Sequence, residues 1–147
     1  RHGRVAGGVV FAPVLGHAYL GVVGEGAWRL DVSAGTDVDA ALNTQVSLPL
    51  DAGKRAFTVV ASRSHMSPET QAYVEEAKAI HGEVNLISEG TADAYPRFAP
   101  TMEWDTAAGQ AVCEAAGCDV IDQNTGEPMR YNRKELLNSW FLVARSS

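Results

Sequence analysis

The residue best placed for metal chemistry is Asp105, which follows Trp104 at the start of an alanine-rich segment. The small apolar residues that come next recur at helical spacing and share one helical face: Ala108, Ala111, Val112 and Ala115. A carboxylate at the start of such a helix has two ordinary uses. It can accept a hydrogen bond from a free backbone N–H group, or it can hold a cation. The pattern leaves both uses open.

A second group of candidates lies between a predicted strand and a predicted helix that begins near Pro68. It consists of Ser62, Arg63, Ser64 and His65. Hydroxyl, guanidinium and imidazole groups beside free helix N–H groups can form a local anion site. Alternatively, the serines hydrogen-bond to turn amides while Arg63 is solvated.

Arg97 is a further anion-binding candidate, because it lies between the aromatic residues Tyr95 and Phe98. A guanidinium flanked by aromatic rings can bind a phosphate while a ring packs near a base. An isolated arginine also commonly forms a surface ion pair. Both interpretations remain open from the sequence.

The composition narrows the function classes. The chain has 147 residues, of which 46% are hydrophobic, which is enough for one domain with a core or for parts of two smaller lobes. A formal net charge of -6 and a pI near 5.1 argue against a general binder of nucleic acid polymers or membrane surfaces. No apolar run approaches the ~20 residues of a membrane span, so we expect a cytoplasmic protein. The chain begins at Arg1 without methionine, and we expect it to be either a fragment or the joined ordered stretches of a longer protein.

Cys113 and Cys118 are the two cysteines of the chain. Their spacing suits neither a zinc site nor a pair within one helix, and no histidine lies near them in the sequence. We therefore expect both to be reduced and buried.

The first part of the sequence predicts an antiparallel hairpin. Segments 5–13 and 18–30 are rich in valine and glycine, and turn residues separate them. Gly21, Gly24 and Gly26 could be mistaken for a dinucleotide-binding loop, but no helix follows them. We interpret them as bulges or turns in the second strand. Segment 33–50 is predicted to be loop-like and to end in a short strand at 46–50.

From about Arg55 the pattern changes to alternating strands and helices. Ser67 as N-cap and Pro68 at the first helical position predict a helix that reaches Gly82. Its apolar stripe consists of Tyr73, Val74, Ala77 and Ile80. Strands are predicted at 57–61, 84–87, 92–97 and 140–144, a helix from Asp105 to Gly117, and a hairpin or turn joining 119–122 to 129–131.

Several of these segments resemble, in the same order, the second half of CysQ-type 3'(2'),5'-bisphosphate nucleotidases. Trp-Asp followed by small residues resembles the metal-binding signature of the wider inositol monophosphatase superfamily. The matching segments are Gly8-Val9-Val10-Phe11-Ala12-Pro13, Gly24-Glu25-Gly26-Ala27-Trp28, Ser62-Arg63-Ser64-His65, Tyr95-Pro96-Arg97-Phe98, Trp104-Asp105-Thr106-Ala107-Ala108-Gly109 and Leu136-Leu137-Asn138-Ser139-Trp140-Phe141.

The resemblance implies an Mg²⁺-dependent phosphatase of sulfur metabolism. Its substrate would be adenosine 3',5'-bisphosphate or its sulfated form, from which it removes the 3'-phosphate. By the same resemblance, Asp105 is a metal ligand, and His65 and Arg97 belong to the nucleotide and phosphate site. Ser62 and Ser64 are further substrate-binding candidates.

The resemblance also implies an α/β layered sandwich of the inositol monophosphatase type. Residues 1–55 would supply the last strands of a first, antiparallel lobe, and residues 56–147 a mixed-sheet α/β lobe that binds substrate and metal. The hairpin alone would expose an apolar face, so we expect the isolated chain to form a homodimer, to aggregate or to recruit its missing half.

Two family features are missing from this sequence. The family's first half, with its Glu-containing loop and Asp-Pro-x-Asp-Gly-Thr segment, is absent, as is a Gly-Ser-Ser-x-Lys segment expected before Ile87. No catalytic residue can therefore be assigned, and we expect the chain to be inactive without the missing first half of the same protein. The alternatives are an inositol or sugar phosphate phosphatase of the same superfamily, or a non-catalytic nucleotide-binding fragment.

Overall fold

A computed structural model describes residues 2–50, 53–61, 66–87 and 92–146, apart from the side chain of Ile87. Within these ranges the elements form two β-sheets and three helices. None of the helices in this part of the chain is both long and apolar enough to cross a lipid bilayer.

The first sheet is an antiparallel meander. Its strands, in spatial and sequence order, are β1 (Gly7–Ala12), β2 (His17–Val22), β3 (Gly26–Asp31) and β4 (Val46–Ser47). The prediction of one long strand over 18–30 was wrong, because the chain turns between β2 and β3. Gly24 and Gly26 adopt positive φ angles of 88° and 146° there, which favours glycine over other residues.

The segment predicted as a loop before β4 contains a short helix, α1 (Val38–Leu42). Asp37 is its N-cap, and the carboxylate accepts a 2.7 Å hydrogen bond from the Ala40 N–H. The predicted strand at 46–50 is reduced to the two residues of β4.

The second sheet is mixed, as predicted. Its strands are β5 (Phe57–Val60), β6 (Val84–Ile87), β7 (Ala94–Arg97), β8 (Cys118–Asp122) and β9 (Phe141–Arg145), arranged in the spatial order β6-β5-β7-β9-β8. The pairs of β5 with β6 and β7 are parallel, whereas β9 is antiparallel to both neighbours.

The predicted hairpin over 119–131 was only partly right. The strand β8 forms, but its ladder partner is β9 and not segment 129–131. The predicted turn between the two arms is present, with an isolated bridge from Ile121 to Pro128 and a 2.9 Å hydrogen bond from the Met129 N–H to the Val120 carbonyl oxygen, but segment 129–131 forms no strand. A turn that closes locally can therefore leave its strand free to pair with a more distant one.

Helix α2 (Pro68–His81) begins as its sequence predicts. The Ser67 hydroxyl accepts a 3.2 Å hydrogen bond from the Thr70 N–H, and Pro68 occupies the first turn. Val74 and Ala77 are buried, and Val74 belongs to the core cluster that also contains Val59. The assignment of Ile80 to the stripe that packs on the core was wrong, because this side chain is 69% exposed.

Helix α3 (Glu103–Ala115) lies between the two sheets, with contacts to β1 and β2 on one side and to β8 on the other. It begins two residues before Asp105 and ends near the predicted Gly117. The antiparallel sheet, the intervening helix and the mixed sheet confirm the predicted α/β layered fold. The lobe boundary near residue 55 stays a prediction.

Candidate functional site

Asp105 occupies the third position of α3, where its side chain caps the helix. The Oδ2 atom accepts a 2.8 Å hydrogen bond from the Met102 N–H. The residue is nevertheless exposed, so the carboxylate faces solvent while it holds the first turn. The capping role that the sequence allowed is therefore present, and the metal-binding role stays a prediction.

A buried asparagine fixes the chain around this first turn. Asn138 is only 5% exposed, and its Nδ2 lies 2.9 Å from the Met102 carbonyl oxygen, 3.0 Å from Thr106 Oγ1 and 3.1 Å from Thr101 Oγ1. Its Oδ1 accepts a 3.0 Å hydrogen bond from Arg133 Nη2. The segment 131–138 is thereby tied to the start of the helix that carries Asp105.

Glu103 adds a charged contact at the same end of α3. Its carboxylate accepts hydrogen bonds from the backbone N–H groups of Asn132 at 2.8 Å and Arg133 at 3.2 Å, and from Arg133 Nε at 3.2 Å. Desolvation acts to raise the pKa of Glu103, but these donors and the guanidinium charge outweigh it and lower the pKa below its ordinary value.

Arg97 ends strand β7 in the interior of the second sheet, and it is half-buried. Its Nε is shielded from solvent and has no hydrogen-bond partner among the described residues. A buried guanidinium donor without a partner is costly unless an acceptor is supplied. Arg97 therefore offers a binding group for an anion.

Arg97 and Asp105 line the same cavity of about 410 Å³. The cavity extends between α3 and the second sheet from exposed Asp105 to buried Val120 and Phe141. Gly109 also lines it, and a Cβ added at Gly109 would meet no heavy atom within 4 Å. The structure thus brings together the predicted phosphate-binding arginine and the predicted metal ligand.

A smaller cavity of about 80 Å³ adjoins Arg97 on the side of α2. Ala61 and Ser67, which also line it, flank the predicted anion-binding segment in the sequence. The candidates Ser62, Ser64 and His65 themselves lie outside the described residues, so their roles stay predictions.

Sequence reasoning missed the part that Asn138, Glu103 and Arg133 play in supporting the site. Asn138 belongs to one of the segments that resemble the nucleotidases, but its contact with Thr106 spans 32 positions of the chain. A contact over this distance leaves no periodic pattern in the local sequence. The local signal was the polar pair Asn138 and Ser139 between apolar residues.

The two cysteines are both free and half-buried. Burial, with smaller contributions from Cys118 and Glu114, raises the pKa of the Cys113 thiol to about 11. The thiol is therefore protonated near neutral pH, which makes it a poor nucleophile and a poor metal ligand.

The described residues do not by themselves fit a magnesium site. Among them no group of three or more His, Cys, Asp or Glu side chains lies close enough to hold a metal ion. Magnesium requires oxygen ligands at near-octahedral geometry, and Asp105 supplies one carboxylate. Any complete site would need ligands from elsewhere.

The layered fold and the cavity at the start of α3 place this chain in a known class. Residues 1–145 match the sequence pattern of the Inositol monophosphatase family, and the chain belongs to that family. The 3'(2'),5'-bisphosphate nucleotidase CysQ of Escherichia coli K12 is 37% identical over 151 aligned residues, which cover 97% of this chain and 56% of that protein. The corresponding CysQ of Salmonella typhimurium is 36% identical over 149 residues, covering 96% of this chain and 55% of that protein.

The predicted resemblance is confirmed by these relatives and by a solved structure. CysQ from Bacteroides thetaiotaomicron superimposes with a TM-score of 0.86 at 39% identity, covering 99% of this chain and 59% of that chain. Inositol monophosphatase II from Staphylococcus aureus has a TM-score of 0.64 at 18% identity, covering 99% of this chain and 52% of that chain, and shows the fold alone.

This chain spans only about half the length of these relatives. It matches 56% of the E. coli protein and 59% of the B. thetaiotaomicron chain. The 151 aligned positions with E. coli CysQ also exceed the 147 residues of this chain, so the relative carries residues within the aligned span that this chain lacks.

Proposed function

We propose that this chain is part of a phosphoric monoester hydrolase that removes the 3'-phosphate from adenosine 3',5'-bisphosphate or its sulfated form. The observation that carries this proposal is the cavity shared by Arg97 and Asp105. It occurs in a chain that is 37% identical to E. coli CysQ across 97% of its length. A cytoplasmic location and a role in sulfur metabolism are part of the same proposal.

Arg97 is proposed to bind phosphoryl oxygens. Its buried Nε lacks a partner among the described residues, and a guanidinium can donate two parallel hydrogen bonds to a phosphate. The cavity of about 410 Å³ beside Arg97 is partly lined by apolar side chains, which suits a nucleoside better than a polyhydroxylated ring. Ser62, Ser64 and His65 are proposed as further substrate contacts.

Asp105 is proposed as one ligand of Mg²⁺, the proposed cofactor. Oδ2 of Asp105 accepts the hydrogen bond from the Met102 N–H that caps α3. Because the carboxylate is exposed, its other oxygen can bind a cation while this hydrogen bond is kept. The other carboxylate ligands are proposed to belong to the part of the family fold that lies outside this sequence, so residues 1–147 should release phosphate only together with that part.

The test is Mg²⁺-dependent phosphate release by this chain joined to the first half of E. coli CysQ. Adenosine 3',5'-bisphosphate and inositol monophosphate are compared as substrates. Asp105→Asn removes the charge but keeps an oxygen that can accept the Met102 hydrogen bond. We expect it to lower phosphate release by about 100-fold or more. Asp119→Asn, at an exposed carboxylate outside the cavity lined by Arg97, should leave it unchanged.

Equal release by Asp105→Asn and the parent protein would contradict the proposed ligand role. Faster release from inositol monophosphate would favour an inositol or sugar phosphate phosphatase. The lack of a metal-binding cluster among the described residues supports a second candidate, a non-catalytic nucleotide-binding fragment. That candidate predicts binding of adenosine 3',5'-bisphosphate that is independent of Mg²⁺, without phosphate release.

A further inference from the structure

Helix α3 ends in a tight turn that leads directly into strand β8. The Gly117 N–H donates a 3.1 Å hydrogen bond to the Glu114 carbonyl oxygen. Gly117 has a φ angle of 80°, the left-handed conformation of a glycine that closes a helix. Cys118 follows this glycine and begins β8. At helix ends of this kind, the residue after the glycine commonly packs against a residue of the last helical turn, and Cys113 occupies that place here.

Both cysteine side chains belong to the layer between α3 and the second sheet. Because side chains alternate along a strand, Cys118 points to the same side of β8 as Val120. Val120 is buried in a cluster with Met129 and Phe141, and Cys113 packs against this cluster. Helix α3 and strand β8 are also in direct contact. The two thiols therefore enter one layer, one from the helix and the other from the strand.

An electrostatic effect between the two side chains supports their proximity. Burial raises the pKa of the Cys113 thiol most, and a negative charge on Cys118 raises that pKa further. Such an effect weakens with distance, so the two thiols lie near each other. Both cysteines are free in the structure. They are also the two cysteines of the whole chain, so no other thiol of the chain competes for either of them.

We infer that Cys113 and Cys118 are a site of oxidative modification, at which a reversible disulfide bond joins the end of α3 to the start of β8. Their spacing does not suit a pair within one helix, but α3 ends at Ala115 and Cys118 lies on the strand. A disulfide requires neighbouring backbones and side chains that face each other. The turn at Gly117 supplies the first condition and the shared layer supplies the second. The inference does not depend on the substrate or the metal proposed above.

The oxidant is a small-molecule disulfide, for which oxidised glutathione serves as the probe. The Cys118 sulfur attacks one sulfur of this reagent, which forms a mixed disulfide and releases one thiolate. The Cys113 sulfur then attacks the Cys118 sulfur, so that the protein disulfide forms and the second thiolate leaves. Each leaving thiolate takes up the proton that the attacking cysteine loses. Two cysteine thiols are thus oxidised to one disulfide, while one reagent disulfide is reduced to two thiols.

Cys118 is the cysteine better suited to the first attack. Burial is the largest effect on its thiol and raises the pKa, but the Arg145 guanidinium opposes this rise. Cys118 also lines a cavity of about 280 Å³, which gives a small reagent access to it. Cys113 is a weak nucleophile, but its attack on the mixed disulfide is intramolecular, and close placement compensates for low reactivity. Cys113 therefore serves as the resolving thiol.

The experiment incubates the full chain of 147 residues with mixtures of reduced and oxidised glutathione and measures its intact mass after acid quenching. Formation of the disulfide lowers the mass by about 2 Da, and proteolytic digestion before reduction locates the bond. The same titration in urea is the control, because urea keeps the sequence but removes the packing. We expect half oxidation of the native chain at a quotient of squared thiol to disulfide concentration at least about tenfold higher than in urea.

Two single variants separate the roles of the cysteines. Cys113→Ser should accumulate a glutathione adduct at Cys118, because the resolving thiol is gone, whereas the unmodified chain should pass through that adduct to the disulfide. Cys118→Ser should form its adduct more slowly than Cys113→Ser. Stable glutathione adducts alone, disulfide-linked dimers alone, or a bond that forms as readily in urea as in buffer would overturn the inference. Circular dichroism records the folded state in buffer and its loss in urea.

Discussion

Helix α3 meets its two neighbouring sheets in different ways. On the side of the first sheet, the approach is so close that only glycine fits: a Cβ on Gly21 would lie 2.5 Å from the Cα of Val112. On the side of the second sheet, the helix lines a cavity of about 410 Å³, and Gly109 faces open space. The helix is therefore anchored on one side and leaves room for a ligand on the other.

This asymmetry suits the proposed site. Asp105 is fixed by the helix that carries it, and that helix is held by backbone packing and by the contacts of Asn138 and Glu103. Substrate groups can then enter the open side without moving the helix. A functional side chain needs such a rigid support if its geometry is to be preserved.

The largest effect is expected from Gly21→Ala, on the closely packed side of α3. The added methyl would collide with the backbone of Val112 and with the Ala111 carbonyl oxygen, so the helix must move away from β2. We expect the free energy of unfolding in urea to fall by about 3 kcal/mol. An unchanged free energy of unfolding would show that the close approach does not anchor α3.

The next largest effect should come from Asn138→Ala. This change removes the hydrogen bonds of the buried Asn138 amide to Thr101, Met102 and Thr106, together with the acceptor of one hydrogen bond from Arg133 Nη2. The expected loss of stability is about 2 kcal/mol. Asn85→Ala on β6 is the control, since Asn85 is exposed and should tolerate the change. Similar losses for the two variants would argue against a special role of Asn138.

The sequence predicted the parts of this arrangement that depend on local signals. Ser67 and Pro68 identified the start of α2, and the alanine spacing after Asp105 identified α3. The glycines of the first sheet were harder to interpret. Gly24 and Gly26 form a turn, whereas Gly21 lies within β2 and makes room for α3. These glycines look alike in the sequence. The role of Gly21 differs only because it packs against α3, a helix that begins more than 80 residues further along the chain.

The candidate site shows the same division between local and distant information. The small residues that follow Asp105 predicted that it lies at the start of a helix, and its carboxylate does cap that helix. Its common cavity with Arg97 depends on how α3 packs on the second sheet, which no short segment encodes. The supporting contacts of Asn138 and Arg133 join residues that are distant in sequence from the helix they hold.

Gly109→Ala makes the same substitution on the open side of α3. The new methyl meets no heavy atom within 4 Å, and alanine favours the helix over glycine. We expect the free energy of unfolding to rise by about 1 kcal/mol, opposite in sign to the effect of Gly21→Ala. A loss of stability would mean that the cavity is narrower than it appears beside Gly109, and urea titration of both variants distinguishes these outcomes.

The smallest expected effect concerns the charged contact at the start of α3, and it is visible only in acid. Hydrogen bonds and the Arg133 charge lower the pKa of Glu103 in the folded state below 4.5, the value of an unperturbed group. The resulting stability is present above pH 4.5 and is lost as the pH falls through the lower, folded-state pKa.

Glu103→Gln should therefore flatten the decline of stability in this acidic range, and Glu114→Gln, near the other end of α3, serves as the control. Urea titrations between pH 3 and pH 7 measure both slopes, and equal slopes for Glu103→Gln and the parent chain would contradict the charged anchor. Because the close approach of α3 to the first sheet is between backbone atoms, this pH response would separate the anchoring of the helix end by Glu103 from the packing of the helix on that sheet.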